Sequence, residues 1–292
     1  MSPTLGWRWS FWIALIIAGV SFVGVVLLPE TYGPKLLTEE AKRQRRSGRV
    51  VFGPLEIETE SWQERLRINL ATPLHMLFTE LIVAASCLYL AFLYGNFYMF
   101  FGAYPIIFRD LYGMSPCISG LTVLPIGVGC CAAIAIGVWF ESYSEGAKLR
   151  NRPWSMSEEA RRLPLACIGG PITTVSMFWL GWAAQKQIHW GIPCASGFFY
   201  GLGSQLIFNA LSNYLADAYP SRSASAFAAS GCTRSIFGVV LPFAVPRMYS
   251  KLGISWATSV LGFFCLAMCC IPFAFIRYGR VIRRHSKLCV SV

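Results

Sequence analysis

Between positions 81 and 108 the chain carries 28 consecutive residues without a charge. The pattern recurs at 9–28, 111–140, 163–185, 187–216, 223–246 and 252–276, with one charge among them, Arg234. A helix needs about 20 apolar residues to cross a hydrocarbon core of about 30 Å. Within that core the backbone can satisfy its own polar groups only by coiling into helices or closing into a barrel. Runs of this length, with Pro116 marking the start of the third, predict an all-α membrane protein of seven transmembrane helices. Composition agrees: 55% hydrophobic against 13% charged residues leaves too little polar side chain to cover a soluble globule.

The net charge of +11 does not point to nucleic acid, because the basic residues fall in loops between apolar runs and form no stripe interleaved with aromatics. Their distribution fixes an orientation instead. The stretch 29–74 holds Lys35, Lys42, Arg43, Arg45, Arg46 and Arg49, and short basic loops stay on the cytoplasmic side during insertion. With that stretch inside, the inner segments collect 19 Lys and Arg and the outer ones 5, namely Arg8, Arg109, Lys186, Arg247 and Lys251. The amino terminus is then outside and the carboxyl terminus cytoplasmic. The first span is read as a membrane helix and not a secretory signal peptide, since 20 apolar residues exceed a usual signal core and no small-residue cleavage site follows. The region from Glu39 to Glu64 mixes both charges and is expected to be an amphipathic or partly disordered linker near the inner leaflet. Seven helices with these termini also describe a seven-helix receptor, but the long loop after the first helix disfavours that rival.

A family resemblance lies in particular residues. Gly6-Trp7-Arg8-Trp9-Ser10-Phe11-Trp12-Ile13, one span, and then Pro29-Glu30-Thr31-Tyr32 with Gly33-Pro34-Lys35 resemble the sixth helix and central linker of fungal drug:proton antiporters of the major facilitator superfamily, the branch that includes polyamine exporters. Further landmarks follow in order. Tyr94-Gly95 and Phe100-Phe101-Gly102-Ala103-Tyr104-Pro105 resemble the seventh helix. Asn213-Tyr214-Leu215-Ala216-Asp217-Ala218-Tyr219 with Ala224-Ser225-Ala226 resembles the end of the tenth and start of the eleventh. Tyr249, Leu252, Gly253 and Trp256-Ala257 resemble the turn before the twelfth. The resemblance implies a single helix at 1–28, a cytoplasmic basic linker at 29–75, a six-helix bundle at 76–276 and a basic cytoplasmic tail at 277–292. It implies proton-coupled export of small organic compounds, cationic, xenobiotic or polyamine-like, and a place in the plasma membrane. A full member has twelve helices in two bundles, so by this correspondence the chain begins just before the sixth. The expected partners are membrane lipids, a small-molecule substrate, protons and an amino-terminal bundle; the alternative is a transport-inactive partner or regulatory fragment. The loop 137–151 keeps Gly137 and basic residues but not the family's signature.

Polar residues inside spans mark where chemistry can sit. Gly197, Gly201, Gln205, Asn209, Asn213 and Asp217 recur at every fourth position, which keeps neighbours on one helical face with a drift of about 40° per step. One reading is a cavity wall whose amides hydrogen-bond substrate; the other is a glycine packing patch with amides as interhelical glue. Glu80, Tyr94 and Tyr98 are placed on one face of the second span, a carboxylate and two aromatic rings suited to a cation. Glu80 also reads as an interfacial, solvated carboxylate, and the tyrosines as packing aromatics. Arg234, about eleven residues into its span, needs compensation, and a reversal near Pro220 puts Gln205 and Asn209 at its depth, so a hydrogen bond to that amide stripe is expected. Pro242 and Pro246 favour a kink with a gating role. Cysteines lie mostly in apolar runs without paired spacing and read as small hydrophobes. His75, His189 and His285 fall at span boundaries without metal-ligand spacing. No nucleophile elbow, P-loop or dinucleotide glycine pattern occurs, so no enzyme, metal or cofactor is expected.

The orientation has a direct check. A single reactive cysteine placed between Lys42 and Arg46, in a chain otherwise free of cysteine, should react with a membrane-impermeant maleimide only after the cells are permeabilised. Labelling of intact cells would reverse the topology.

Overall fold

The computed structural model describes residues 6, 8–30, 32–48, 50–57 and 62–285, so Trp7, Thr31, Arg49 and Lys287 lie outside the described set. All regular structure among these residues is helical, and the chain divides into two compact units, Met1–Ile68 and Asn69–Val292.

In the first unit, α1 (Arg8–Val26) presents Phe11, Ile16, Val20 and Val23 as exposed apolar side chains, the pattern of a helix clad for lipid. Helix α2 (Gly33–Arg46) starts with Pro34, whose fixed φ suits a first turn, and ends on Arg43, Arg45 and Arg46, where cations complement the carbonyl end of the helix dipole. Thr38 and Ala41 are its buried side, and Thr38 packs directly onto Gly53. Arg45 pairs with Glu56 of the short α3 (Pro54–Ile57) and lies over the Phe52 ring. That pairing, with a bond from the Gly53 N–H, holds the Glu56 carboxyl below its ordinary value. The basic stretch is therefore helical over Gly33–Arg46 and again over Pro54–Ile57; positions 58–61 lie outside the described residues.

Helix α4 (Trp62–Thr79) contains the boundary between the units and stops at Glu80, which is extended (φ −104, ψ 109). Helix α5 (Leu81–Tyr104) follows and widens into a π turn over Pro105–Leu111. Next come α6 (Pro116–Leu121), α7 (Leu124–Leu149), α8 (Glu158–Arg162), α9 (Pro164–Ala183), α10 (Gly191–Ala218) and α11 (Ser223–Val240). A tight 3-10 turn at Leu241–Ala244 leads into α12 (Val245–His285), which is broken at Gly253 (φ 73). That left-handed backbone is accessible to glycine at little steric cost. Beyond it the helix returns along α9, with Thr258 beside Gly181 and Cys269 beside Gly170.

Among the described residues four stretches are long and apolar enough to cross a membrane: Leu81–Leu111, Pro116–Leu149, Pro164–Ala183 and Ser223–Gly279. This is fewer than the seven expected from sequence, for two physical reasons. The 57 residues of Ser223–Gly279 fold back at Gly253, so they hold two helical passes within one stretch. In α10 the glycines and amides lower the apolarity, and α1 qualifies only as a shorter apolar helix, Phe11–Val26. Helix α7 also runs nine residues past the expected end at Phe140, braced by stacking of Trp139 on Tyr143 and of Tyr143 on Trp154.

Glycines set the interhelical distances. A Cβ at Gly129 would stand 2.1 Å from the Phe198 carbonyl oxygen, and one at Gly201 2.1 Å from that of Ile126, so α7 and α10 touch backbone to backbone. Gly169 and Gly203 make the same crossing between α9 and α10, and Gly95 lies against Phe237 and Leu241 where α5 meets α11. Of the cysteines, Cys87, Cys194, Cys265 and Cys269 are buried, whereas Cys117, Cys131, Cys232 and Cys270 are exposed. The small-hydrophobe reading thus needs dividing between an interior set and an outward-facing set.

Gly201→Ala and Gly129→Ala should each destabilise the folded chain by about 1–3 kcal/mol, the usual cost of overpacking. Gly231→Ala, where a Cβ meets nothing within 4 Å, should not. Thermal unfolding in detergent, followed by cysteine accessibility, reads the difference.

Candidate functional site

Two clusters of polar side chains stand out in the second unit, one at the helix ends around α8 and one at mid-helix around Arg234. The first is an ion-pair hub. Arg162 donates from Nε to Asp217 Oδ2 at 2.7 Å and from Nη1 to Glu141 Oε1 at 2.7 Å, while Arg161 Nη2 reaches the same Asp217 oxygen at 3.3 Å. On the other side of α8, Arg283 donates to Glu158 Oε2 at 2.6 Å, pairs with Glu159 and lies over the Tyr214 ring. This one-turn helix therefore ties α7, α10 and α12 together. Beside it lies a cleft of about 120 Å³ lined by Gly137, Glu141, Arg161, Arg162, Asn209 and Asn213 among others.

The stripe on α10 divides along its length. Gly197 packs under the Tyr104 hydroxyl and Gly201 on Ile126, so its first half is a packing surface. Gln205 donates to Asn209 Oδ1 at 3.0 Å, and Asn209 and Asn213 border the cleft. Asp217 belongs to the ion-pair hub. One periodic row thus supplies packing, amides and a charge in succession, because its slow drift carries it from one neighbour to the next.

Glu80 lies apart from Tyr94 and Tyr98. It precedes α5 in extended backbone and is buried, accepting a hydrogen bond from the Tyr219 hydroxyl at 2.9 Å, whereas the two tyrosines are among the exposed residues of the helix. The shared face expected from spacing assumes a helix that is continuous through position 80, and it is not. The two tyrosines do come together, with hydroxyls 3.2 Å apart and ring centroids 4.9 Å apart.

Arg234 corrects a second expectation. Its Nε donates to the Ser230 carbonyl at 3.3 Å in its own helix, and its guanidinium lies 5.7 Å from the Tyr94 centroid and 5.1 Å from that of Phe208. The amide stripe is not its partner: Gln205 is turned to Asn209. Aromatic faces, which attract a cation through their quadrupole, take the place of the amides. Pro242 lies in the tight 3-10 turn after α11 and Pro246 in the first turn of α12, so neither falls inside α11, and the break in helical backbone is at Gly253.

Comparison with known proteins agrees with this architecture. The family model described as Major Facilitator Superfamily matches residues 1–242. The chain belongs to that superfamily. The MFS transporter prlG of a fungal species (strain NRRL 50135) is 37% identical over 289 residues, covering 96% of this chain and 59% of the relative. The efflux pump FUB11 of Gibberella moniliformis is 36% identical, covering 98% of this chain and 49% of the pump, and the MFS-type efflux pump MFS2 of Trichophyton rubrum gives the same three figures. The chain thus spans about half the length of these curated relatives. It is an integral, multi-pass membrane protein of a transporter family, not an enzyme.

The roles of Glu141, Arg161, Arg162, Tyr219, Phe208 and Arg283 were not singled out from sequence. The charged members flank apolar runs, where the same pattern serves orientation, and Phe208 is one more apolar residue between Gln205 and Asn209.

Asp217→Asn should destabilise the chain by roughly 2 kcal/mol, because it removes the negative charge that two arginines share. Glu141→Gln, at a half-exposed site, should cost less than about 1 kcal/mol. Thermal melts of the two variants in the same detergent rank them, and an equal loss would contradict the hub.

Proposed function

We propose that this chain supplies the linker and carboxyl-terminal bundle of an exporter of small organic compounds that works by alternating access. The observation that carries the reading is the match to fungal efflux pumps over 96–98% of the chain, with the family landmarks in order. In such a carrier the substrate lies between two bundles near the membrane midplane. The corresponding parts here are residues 1–28 as the sixth helix, 29–75 as the cytoplasmic linker, 76–276 as the bundle and 277–292 as the tail. Tyr94, Tyr98, Gln205, Asn209 and Asn213 are the candidate cavity residues on this reading, with Arg234, Pro242 and Pro246 available for gating and Gly197, Gly201 and Asp217 for structure.

Proton coupling and the plasma membrane, with the amino terminus outside and the carboxyl terminus cytoplasmic, follow from the resemblance and the charge asymmetry. The cationic or polyamine-like class gains less support: Glu80 is held by Tyr219 inside the unit, and the apolar runs contain no Asp or Glu. Because a two-bundle cavity needs both walls, the 292 residues by themselves are expected to insert without transporting.

The test is a chimaera in which this chain replaces the matching region of a full-length relative such as the Gibberella moniliformis pump. Expressed in yeast lacking its own efflux pumps, the chimaera should lower accumulation of a fluorescent organic compound severalfold. A correctly inserted chimaera no better than empty vector would overturn the reading. Uptake by vesicles holding the 292 residues alone would overturn the two-bundle part of it.

A further inference from the structure

Arg234 is the one charged residue in all seven apolar runs of the sequence. It is the twelfth residue of α11, about 17 Å along the helix at 1.5 Å per residue, close to the middle of a hydrocarbon core of about 30 Å. A guanidinium at that depth is costly in hydrocarbon, and such residues face a cavity or a partner and not lipid. Among the described residues no carboxylate answers it. Its one hydrogen bond is the long Nε contact to Ser230 in its own helix. The two terminal amino groups, with four N–H donors, make no hydrogen bond to any described residue.

The surroundings hold this fork in place without neutralising it. Tyr94 of α5 and Phe208 of α10 both have rings within stacking reach of the guanidinium, and stacking of this kind fixes the guanidinium plane, which lowers the entropy lost when it binds a second, bidentate group. Arg234, Phe208 and Tyr94 are all partly exposed. Along α5 the aromatic surface continues through Tyr98 to Phe101, ring to ring at 4.9 and 6.0 Å. Tyr94 and Tyr98 share one hydrogen bond between their hydroxyls, which leaves one hydroxyl proton free to donate outward. The unspent donors on this patch are the guanidinium N–H groups and one tyrosine O–H, the one charge is positive, and the adjoining surface is aromatic.

We propose that Arg234, framed by Tyr94 and Phe208, is an anion subsite that receives a carboxylate attached to an aromatic or apolar body. The carboxylate would accept two parallel bonds from the guanidinium edge, the geometry in which arginine binds such groups most strongly, and the body would lie along Tyr98 and Phe101. This rests on the exporter reading and assigns it a substrate class opposite in charge to the one the resemblance implies.

The test uses the full 292-residue chain in lipid nanodiscs and three probes of one shape: benzoate, benzamide and benzylammonium. Saturation-transfer NMR titrations give the dissociation constants. Benzoate should bind roughly tenfold more tightly than benzamide, consistent with a bidentate charge-assisted pair, and benzylammonium should bind more weakly than either. Arg234→Gln should remove the preference for benzoate while leaving benzamide binding within about twofold, and Arg234→Lys, which keeps the charge but not the fork, should restore only part of it. Phe208→Leu leaves the charge untouched and should weaken benzoate severalfold, which covers the case in which Arg234→Gln fails to fold. Equal affinity for the three probes, or benzoate binding indifferent to these substitutions, would overturn the subsite and leave the exporter reading standing. Binding of none of the three would overturn the subsite as well, and the efflux chimaera then decides the exporter reading on its own. Efflux by the chimaera without any preference for carboxylates separates the two failures in the opposite direction.

Discussion

Between helices in lipid there is no water to expel, so the hydrophobic effect that drives a soluble core together is missing, and association depends on how closely the surfaces fit. In this bundle the fit is made by backbone meeting backbone at glycine. Gly129 and Gly201 bring α7 onto α10, and Gly169 and Gly203 bring α9 onto the same helix from another side. Helix α10 is therefore the element against which its neighbours are positioned. Its glycine-rich first half packs, and that packing sets where the polar second half projects.

Polar groups are then distributed by depth. At the end of the bundle that carries α8, charges can be used freely, and seven ionised side chains, Glu141, Glu158, Glu159, Arg161, Arg162, Asp217 and Arg283, link three long helices through one turn of helix. Toward the middle the described residues make weaker, neutral arrangements, such as the Gln205–Asn209 pair and the two tyrosine hydroxyls. Arg234 is the exception. It is tolerated because aromatic faces, and not carboxylates, stand beside it, so its charge is held in place without being cancelled. A charge of that kind on a partly open surface is what a carrier needs where a ligand's charge must be met for part of a cycle and released in the rest.

Much of this was legible in the sequence, and the limits were of one kind. Helix-forming segments followed from apolar runs, and the cost of charge in hydrocarbon is what draws attention to Arg234 and the α10 stripe. Partner assignment failed where it relied on extrapolated spacing. Glu80 was placed with Tyr94 and Tyr98 on the assumption of an unbroken helix, yet the backbone is extended at Glu80 and the carboxylate turns inward to Tyr219. Equal depth suggested Gln205 and Asn209 as partners for Arg234, but depth leaves rotation about the helix axis undetermined, and rotation presents Phe208 to the guanidinium instead.

By itself the sequence determined the solvent, the helical class and the family, because each of these depends on local quantities: how long a run stays apolar, where its charges fall and which residues stand in order. The tertiary structure alone decided which side chains meet. Contacts such as Arg162 with Asp217, Tyr219 with Glu80, and Arg234 with Tyr94 and Phe208 join positions 55, 139, 140 and 26 residues apart in the chain. Their geometry is fixed by helix rotation and by the reversal at Gly253, neither of which any single stretch of residues encodes.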